Sequence, residues 1–275
     1  MNVSTDEAYE ITHGERLDSS PACSPDGNWI VYTVDDNWRA IPLGILNANS
    51  GETRRLTSDD QVYLDPVFSP DGRWLAYVTI KPNGNFNVMA RRIHNGEWAG
   101  PEIAITRDHA FGNSRLYFGN WDLHIQPAWL REGSGLLLVS NRDVALGSGN
   151  LSRVPFEGDA MTKGRVILNE QSLFRTRPDV SPKGRRLVYS STRGAADEYD
   201  HLCLLPVEGG QPYKLTFGDH DDFHPRWSPD GQWSAYISNE GSPPGLYLLE
   251  TYGGAKRKPV TGALHCKQPM GTAIR

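Results

Sequence analysis

The sequence of 275 residues predicts an all-β chain folded as a β-propeller of four-stranded antiparallel blades. The first observation behind this prediction is an internal repeat: a segment resembling PVFSPDGRWLAYV recurs five times, at intervals of 45 to 61 residues. The second is composition, since 28 Gly and 19 Pro accompany 8 Trp and 11 Tyr, a mixture typical of short strands joined by tight turns. The repeats start near Pro21, Pro66, Pro127, Pro178 and Pro225.

Each repeat contains a hairpin turn. In Ser-Pro-Asp-Gly the proline presets φ for the first central position, the aspartate caps the turn, and the glycine accepts a positive φ. The fourth repeat has Lys183 in place of the aspartate, and the third has lost the Ser-Pro. We therefore assign structural turn roles to Asp26, Gly27, Asp71, Gly72, Gly184, Asp230 and Gly231.

Strand patterns follow every turn. Aliphatic and aromatic residues alternate, as at Leu75 and Tyr77, while Trp74 and Val78 make the opposite face apolar too, which indicates a sheet covered on both sides. The third strands are predicted at Leu43–Leu46, Phe86–Met89, Leu151–Val154, Leu202–Leu205 and Leu246–Leu249. The fourth strands are predicted to end at Thr57, Thr106, Leu168, Thr216 and Thr261. Four antiparallel strands per repeat are typical of a propeller blade.

Counting the strands predicts an incomplete ring. An extra outer-strand pattern at Tyr9–Gly14 precedes the first hairpin, so there are six outer strands for five hairpins. We expect an N-terminal segment over 1–9, the propeller over 10–261 as part of a six-bladed ring, and a tail over 262–275 that joins a missing domain. Exposed blade edges would favour self-association.

Composition narrows the classes of partner. With 28 Lys plus Arg against 33 Asp plus Glu, the formal net charge is −5. The sequence has no stripe of basic residues, the feature that would predict nucleic-acid binding. Apolar runs such as Leu136–Val139 are far shorter than the roughly 18 residues of a membrane span. The three cysteines are too scattered for a disulfide framework or a zinc site. The N-terminus has no secretory signal pattern.

The links that enter the third and fifth repeats are rich in polar residues. Links of this kind lie at the rim of the central channel of a propeller, and histidine and carboxylate groups there can hold a divalent metal. The alternative is that they only hydrogen-bond the loops between blades. The candidate channel residues in these links are His124, Gln126, Asp222 and His224, and the candidate metal ligands are His124, His220 and His224.

Arg175 and Arg177 occupy the equivalent link before the fourth repeat. Two guanidinium groups beside the channel can hold a carboxylate or phosphate, or pair with acidic residues of neighbouring links. The motifs GxSxG, HExxH, GxGxxG and the P-loop are absent, so no catalytic residue is assigned and a divalent metal is the sole cofactor considered.

The SPDG turn after an aromatic residue, the aliphatic-x-Tyr strand and the closing Leu-Thr resemble the PD-type repeat of TolB-like propellers over residues 10–261. The stretch Glu250–Val260 resembles the exit from such a propeller into a metal-dependent hydrolase domain of the amidohydrolase or PHP type, and it is also similar to the exit in PD-propeller peptidases. The resemblance implies a module that binds a protein, a peptide or a small anionic ligand, as the substrate-gating or scaffold domain of a longer hydrolase.

Two further expectations follow from this resemblance. Family members of this kind are periplasmic, which would apply here if the N-terminus is truncated, and the chain is otherwise expected in the cytoplasm. The alternative function is a metal-dependent propeller enzyme, either a hydrolase or similar to oligosaccharide lyases, with histidine and glutamine ligands at the central channel.

Overall fold

The computed structural model describes residues 11–13, 17–35, 40–58, 60–80, 84–107, 123–141, 149–157, 160–161, 164–169, 175–192, 198–252 and 257–259. These residues form strands, turns and bends, and contain no helix. The predicted segment 1–9, the tail 262–275 and half of the extra strand pattern at Tyr9–Gly14 (residues 9, 10 and 14) lie outside them. Among the described residues, no helix has the length and apolar character needed to cross a bilayer.

The strands form five sheets, one for each repeat. Blade 1 contains β1 (Leu17–Cys23), β2 (Trp29–Asp35), β3 (Leu43–Asn47) and β4 (Thr53–Arg55). Blade 2 contains β5 (Tyr63–Phe68), β6 (Trp74–Ile80), β7 (Phe86–His94) and β8 (Glu97–Ala104). Blade 3 contains β9 (His124–Trp129), β10 (Gly135–Ser140), β11 (Asn150–Glu157), β12 (Ala160–Met161) and β13 (Arg165–Leu168).

The last two sheets repeat the plan. Blade 4 contains β14 (Arg175–Val180), β15 (Arg186–Ser191), β16 (His201–Pro206) and β17 (Tyr213–Lys214). Blade 5 contains β18 (Asp222–Trp227), β19 (Trp233–Ser238), β20 (Gly245–Glu250) and β21 (Arg257–Pro259). Strands pair antiparallel in sequence order within each blade, except that β12 and β13 both pair with β11.

The predicted fold class is confirmed, because five antiparallel blades follow one another around a common axis. The first strand of each blade contacts the first strand of the next, from β1 through β5, β9 and β14 to β18. These innermost strands therefore surround the axis. That the five blades belong to a six-bladed ring stays a prediction.

Apolar side chains fill the four interfaces between consecutive blades. Between blades 2 and 3, Trp74 and Trp129 both pack edge-on against Phe156, with ring centroids 5.1 and 5.0 Å apart, a geometry that aromatic pairs favour. In the described part of the chain, no apolar cluster joins blade 5 to blade 1. A separate cluster that includes Ile30 and Tyr32 instead lies in blade 1 alone.

The SPDG turns are held by their own side chains. In blade 2 the Ser69 hydroxyl donates to Asp71 Oδ1 (2.6 Å) and accepts from the Trp74 amide (2.9 Å). The Gly72 amide donates to the Ser69 carbonyl at 2.9 Å, and Gly72 has φ +70°. Ser24 and Ser228 make the same two side-chain bonds in blades 1 and 5. Because the serine satisfies a strand amide directly, each turn fixes the register of the hairpin behind it.

Gly72→Ala tests the contribution of this backbone conformation. A Cβ on Gly72 would lie 3.5 Å from Pro25 Cδ, an ordinary contact, so the cost comes from the positive φ and not from a clash. We expect the free energy of unfolding to fall by about 1 kcal/mol or more. Gly100→Ala is the matched control, since a Cβ there would lie 3.7 Å from Arg92 Cβ and Gly100 has no positive φ. Equal urea midpoints for the two variants would contradict the prediction.

Candidate functional site

The residue before each repeat proline has an unusual backbone. All five have positive φ: Ser20 (50°), Asp65 (49°), Gln126 (55°), Arg177 (43°) and His224 (55°). Among the described residues, just one other non-glycine residue has positive φ. The conformation is uncommon for non-glycine residues, and a following proline favours extended backbone instead. It coincides in every blade with a β-bulge in the innermost strand. A bulge changes the direction in which a side chain points. We call these five residues the axial ring.

Arg177 connects members of the axial ring across the axis. Its Nη2 donates to Asp65 Oδ1 at 2.6 Å and to Ser20 Oγ at 2.9 Å, while its backbone amide donates to Gln126 Oε1 at 2.8 Å. The Arg177 and Asp65 side chains are only 10% and 16% exposed. A charged pair shielded to this degree is screened little by salt. One arginine of blade 4 thus contacts blades 1, 2 and 3.

Electrostatics at the axis are unbalanced toward positive charge. Burial lowers the pKa of the Arg177 guanidinium, the negative charge of Asp65 opposes this, and the positive charge of Arg226 adds to it. Arginine nevertheless stays protonated in proteins. Two guanidinium groups therefore lie near the axis, and Asp65 forms an ion pair with one of them.

Two cavities lie along the axis. The smaller, about 10 Å³, is lined by Asp65, Gln126, Arg177, Arg226 and the neighbouring repeat prolines, and has room for about one water molecule. The larger, about 360 Å³, is lined by residues of all five blades, among them the prolines of the SPDG turns. We call the larger one the funnel and the smaller one the constriction. A volume of 360 Å³ is at the lower end of the range for small-molecule sites, about 300 to 1,000 Å³.

The residue directly after each repeat proline lines the funnel. Three of these residues are apolar, whereas Asp179 and Arg226 are charged. The Asp179 carboxylate accepts a bond from the Trp227 amide at 2.7 Å. Arg226 is half-buried and lines both the funnel and the constriction.

The predicted channel residue His124 lies inside blade 3. It is 2% exposed, and its Nδ1 lies 2.9 Å from Ser140 Oγ on the adjacent strand β10. It is not among the residues that line the funnel or the constriction. Gln126, two residues later, does line the constriction. The bulge between them separates two side chains that plain strand alternation would place together.

The predicted residues His220 and Asp222 meet at the boundary of blades 4 and 5. His220 Nε2 lies 3.5 Å from Asp222 Oδ2, and its ring centroid is 6.4 Å from that of His201. The Asp222 amide donates to the Asp200 carbonyl at 2.7 Å, and Asp222 is fully buried. Burial, together with the negative charge of Asp221, raises the pKa of Asp200 to about 7. This cluster belongs to a blade boundary and is distinct from the axial cavities.

The three candidate metal ligands each contact a different neighbouring residue. His124 contacts Ser140, His220 contacts Asp222, and the His224 ring packs edge-on against Phe223 at 5.2 Å between centroids. Within the part of the chain that the structure describes, no group of three or more His, Cys, Asp or Glu is placed to hold a metal ion. The metal ligand set stays a prediction.

Arg175, the other arginine predicted at the channel, is the first residue of β14.

Sequence reasoning missed three residues of the site. Ser20 and Asp65 occupy the same offset before their repeat prolines as Gln126 and Arg177, so this offset alone could have identified them. Arg226 follows its repeat proline directly, a position that lies on the turn side of the bulge. The aligned repeats therefore contain the signal, which is the position of each residue relative to the repeat proline. This position can be interpreted only when the β-bulge is known.

Comparison with known proteins agrees with this architecture. No family model matches the chain. It is 36% identical over 87 residues to the uncharacterized peptidase YuxL of Bacillus subtilis, a match that covers 30% of this chain and 13% of the peptidase. The chain thus matches only a small part of the length of that relative.

Solved structures give wider coverage at lower identity. A putative TolB from Agrobacterium tumefaciens superposes with a TM-score of 0.70 at 15% identity, covering 94% of this chain and 86% of that one. A puromycin-hydrolyzing peptidase of Mycobacterium tuberculosis gives 0.62 at 16% identity, covering 89% and 38%. An oligogalacturonate lyase in complex with manganese gives 0.60 at 17% identity, covering 94% and 70%. The chain therefore has the fold of a TolB-like β-propeller.

A double-mutant cycle on Arg177 and Asp65 tests the axial ion pair. Arg177→Met should lower the free energy of unfolding by about 3 kcal/mol, because it leaves the shielded carboxylate of Asp65 without its counter-charge. Adding Asp65→Asn removes that carboxylate, so the double variant should lose less than the sum of the single changes, with a coupling energy of about 1 to 3 kcal/mol. Strictly additive losses in urea unfolding would show that the pair is not coupled.

A second prediction concerns the backbone of the axial ring. At His224, with φ 55°, glycine relieves about 1 to 2 kcal/mol of left-handed strain and costs about 0.4 to 1 kcal/mol through the unfolded state. His224→Gly should therefore melt at a higher temperature than His224→Ala. The exposed Arg185 has no positive φ, so the order of the glycine and alanine variants should reverse there. The same order at both positions would contradict the assignment of strain.

Proposed function

We propose that this chain is a ligand-binding β-propeller module whose funnel receives a peptide, and that it acts as the substrate-gating or scaffold domain of a longer hydrolase. The observation that carries the proposal is the funnel itself, which is built by all five blades and ends at charged residues of the axis. Ligand sites are typically concave and largely apolar with a few polar groups.

The walls of the funnel suit a peptide. Phe68, Val67 and Ala128 provide apolar surface beside the prolines of the three SPDG turns and of the related Ser-Pro-Lys-Gly turn of blade 4. Proline has no backbone N–H, so these parts of the wall make apolar contacts and do not extend a sheet. The axial ring below them is strained in every blade, and residues held in such conformations cluster at ligand clamps and other functional sites.

Placement beside a hydrolase is supported by the comparisons. The match to the Bacillus peptidase and the likeness to the Mycobacterium peptidase each cover well under half of those proteins. A propeller that forms one part of a peptidase would give this coverage. The peptidase activity would then belong to sequence outside the propeller.

A plug in the funnel tests the proposal. Wild-type protein is immobilised and equilibrated with a pool of N-acetylated random pentapeptides bearing free carboxyl termini, and retained peptides are quantified by mass spectrometry. Ala22→Trp places a large side chain on the half-buried funnel wall and should abolish retention. Ala99→Trp, on the exposed outer strand β8, is the matched control and should retain the wild-type amount.

Circular dichroism and melting temperature establish that both variants fold. Absence of retained peptide on wild-type protein, or equal retention by Ala22→Trp, would contradict a peptide-binding funnel.

The alternative, a metal-dependent propeller enzyme, rests on the likeness to the manganese complex of the lyase. It predicts stoichiometric metal in purified protein and a rise in melting temperature with manganese or zinc. His124→Ala and His224→Ala would remove that rise, whereas the peptide-binding function requires no metal.

A further inference from the structure

We propose that the funnel recognises the C-terminal carboxylate of its peptide through Arg226. This inference rests on the proposed function and names the chemical group that the site selects. It is carried by three observations on the described residues: which charges in the funnel are already used, where the positive charge lies, and how the axis closes below it.

Two of the three charged groups of the funnel are engaged within the protein. The Arg131 guanidinium donates to the carbonyl oxygens of Val180 and Ser181 at 2.9 to 3.2 Å. The Asp179 carboxylate accepts from the Trp227 amide at 2.7 Å. Both groups therefore help to hold blades 3, 4 and 5 together and have less capacity for a ligand.

Arg226 is different. Among the described residues, the one hydrogen bond of its side chain is a long contact of 3.5 Å from Nη1 to the carbonyl of Pro225, its neighbour in sequence, and the side chain forms no ion pair there. It is half-buried and lines both axial cavities. A partly desolvated guanidinium without a counter-charge is costly, and an anion placed against it would offset that cost.

The charged side chains that line the funnel are positive in excess, because Arg131 and Arg226 stand against one carboxylate, Asp179. At the constriction, Asp65 forms an ion pair with Arg177, and Arg226 adds a second positive charge. An anionic group entering the funnel is thus attracted by Arg226, whose planar fork of donors matches a carboxylate in a two-bond geometry.

The closed axis identifies a chain end as the occupant. Arg177 contacts Ser20, Asp65 and Gln126 across the axis, and the constriction beside it has a volume of about 10 Å³, room for about one water molecule. A polypeptide cannot pass through this point. A peptide that enters the funnel must therefore stop at Arg226 and Arg177. The amino terminus of a peptide is positively charged and is repelled there, whereas the carboxyl terminus is attracted.

The test compares two forms of one peptide pool. N-acetylated random pentapeptides are prepared either as free acids or as C-terminal amides, and the best-retained sequence is titrated in both forms by calorimetry. Wild-type protein should bind the free acid at least about tenfold more tightly than the amide, because the acid gains charge-assisted hydrogen bonds. Equal affinities would overturn the inference.

Arg226→Gln should reduce the affinity for the free acid to that of the amide and leave the amide unaffected. Arg185→Gln is the matched control, because it removes one positive charge from an exposed residue that does not line the funnel. It should leave the difference between acid and amide intact. A similar loss in both variants would assign the effect to the overall field of the protein and overturn the role of Arg226.

Two competitors separate other sources of negative charge. Amidated peptides with glutamate at the last position carry a side-chain carboxylate, and inorganic phosphate carries an anion without a peptide. Competition by either one as strong as that of the free acid would overturn the assignment to a chain terminus. If the free acid and the amide bind equally and Ala22→Trp abolishes both, the peptide-binding function stands and the inference about Arg226 fails. If neither form binds, both fail.

Discussion

The positive φ of the residue that precedes each repeat proline determines how the innermost strands meet at the axis. An extended residue at this point would continue the innermost strand and keep its side chain in the alternation of the sheet. The bulge redirects side chains, and those of Asp65, Gln126 and Arg177 line the constriction. Because proline disfavours this conformation in the residue before it, contacts with surrounding residues must stabilise it. The conformation occurs once in each of the five repeats.

The fold could be predicted from the sequence because its signals are local. Turn residues, alternating strands and a period of 45 to 61 residues are all visible in the letters. Strand ends were less accurate: the outer strand of blade 4, predicted to end at Thr216, consists of Tyr213–Lys214. Leu215 leaves the strand pairing but keeps a bond to the Leu202 carbonyl, so the apolar pattern continues where the regular pairing does not.

The site was predicted less well because it depends on a departure from regular structure. Simple alternation places His124 and Gln126 on one face of their strand. The bulge instead leaves His124 against Ser140 inside the blade and places Gln126 at the axis. Arg226 was missed for the same reason, since the two-residue alternation of a regular strand does not predict the direction of a side chain that follows a bulge.

The same contacts that stabilise the axis also define what the funnel can accept. Apolar clusters connect each blade only to its neighbours, whereas Arg177 contacts residues of blades 1, 2 and 3 from blade 4. To satisfy this shielded guanidinium, Asp65 and Ser20 must approach it closely, and their approach narrows the axis to the constriction. The axial network therefore makes the funnel a dead end. A dead end with a positive floor discriminates between the two ends of a peptide, which an open channel of the same composition would not do.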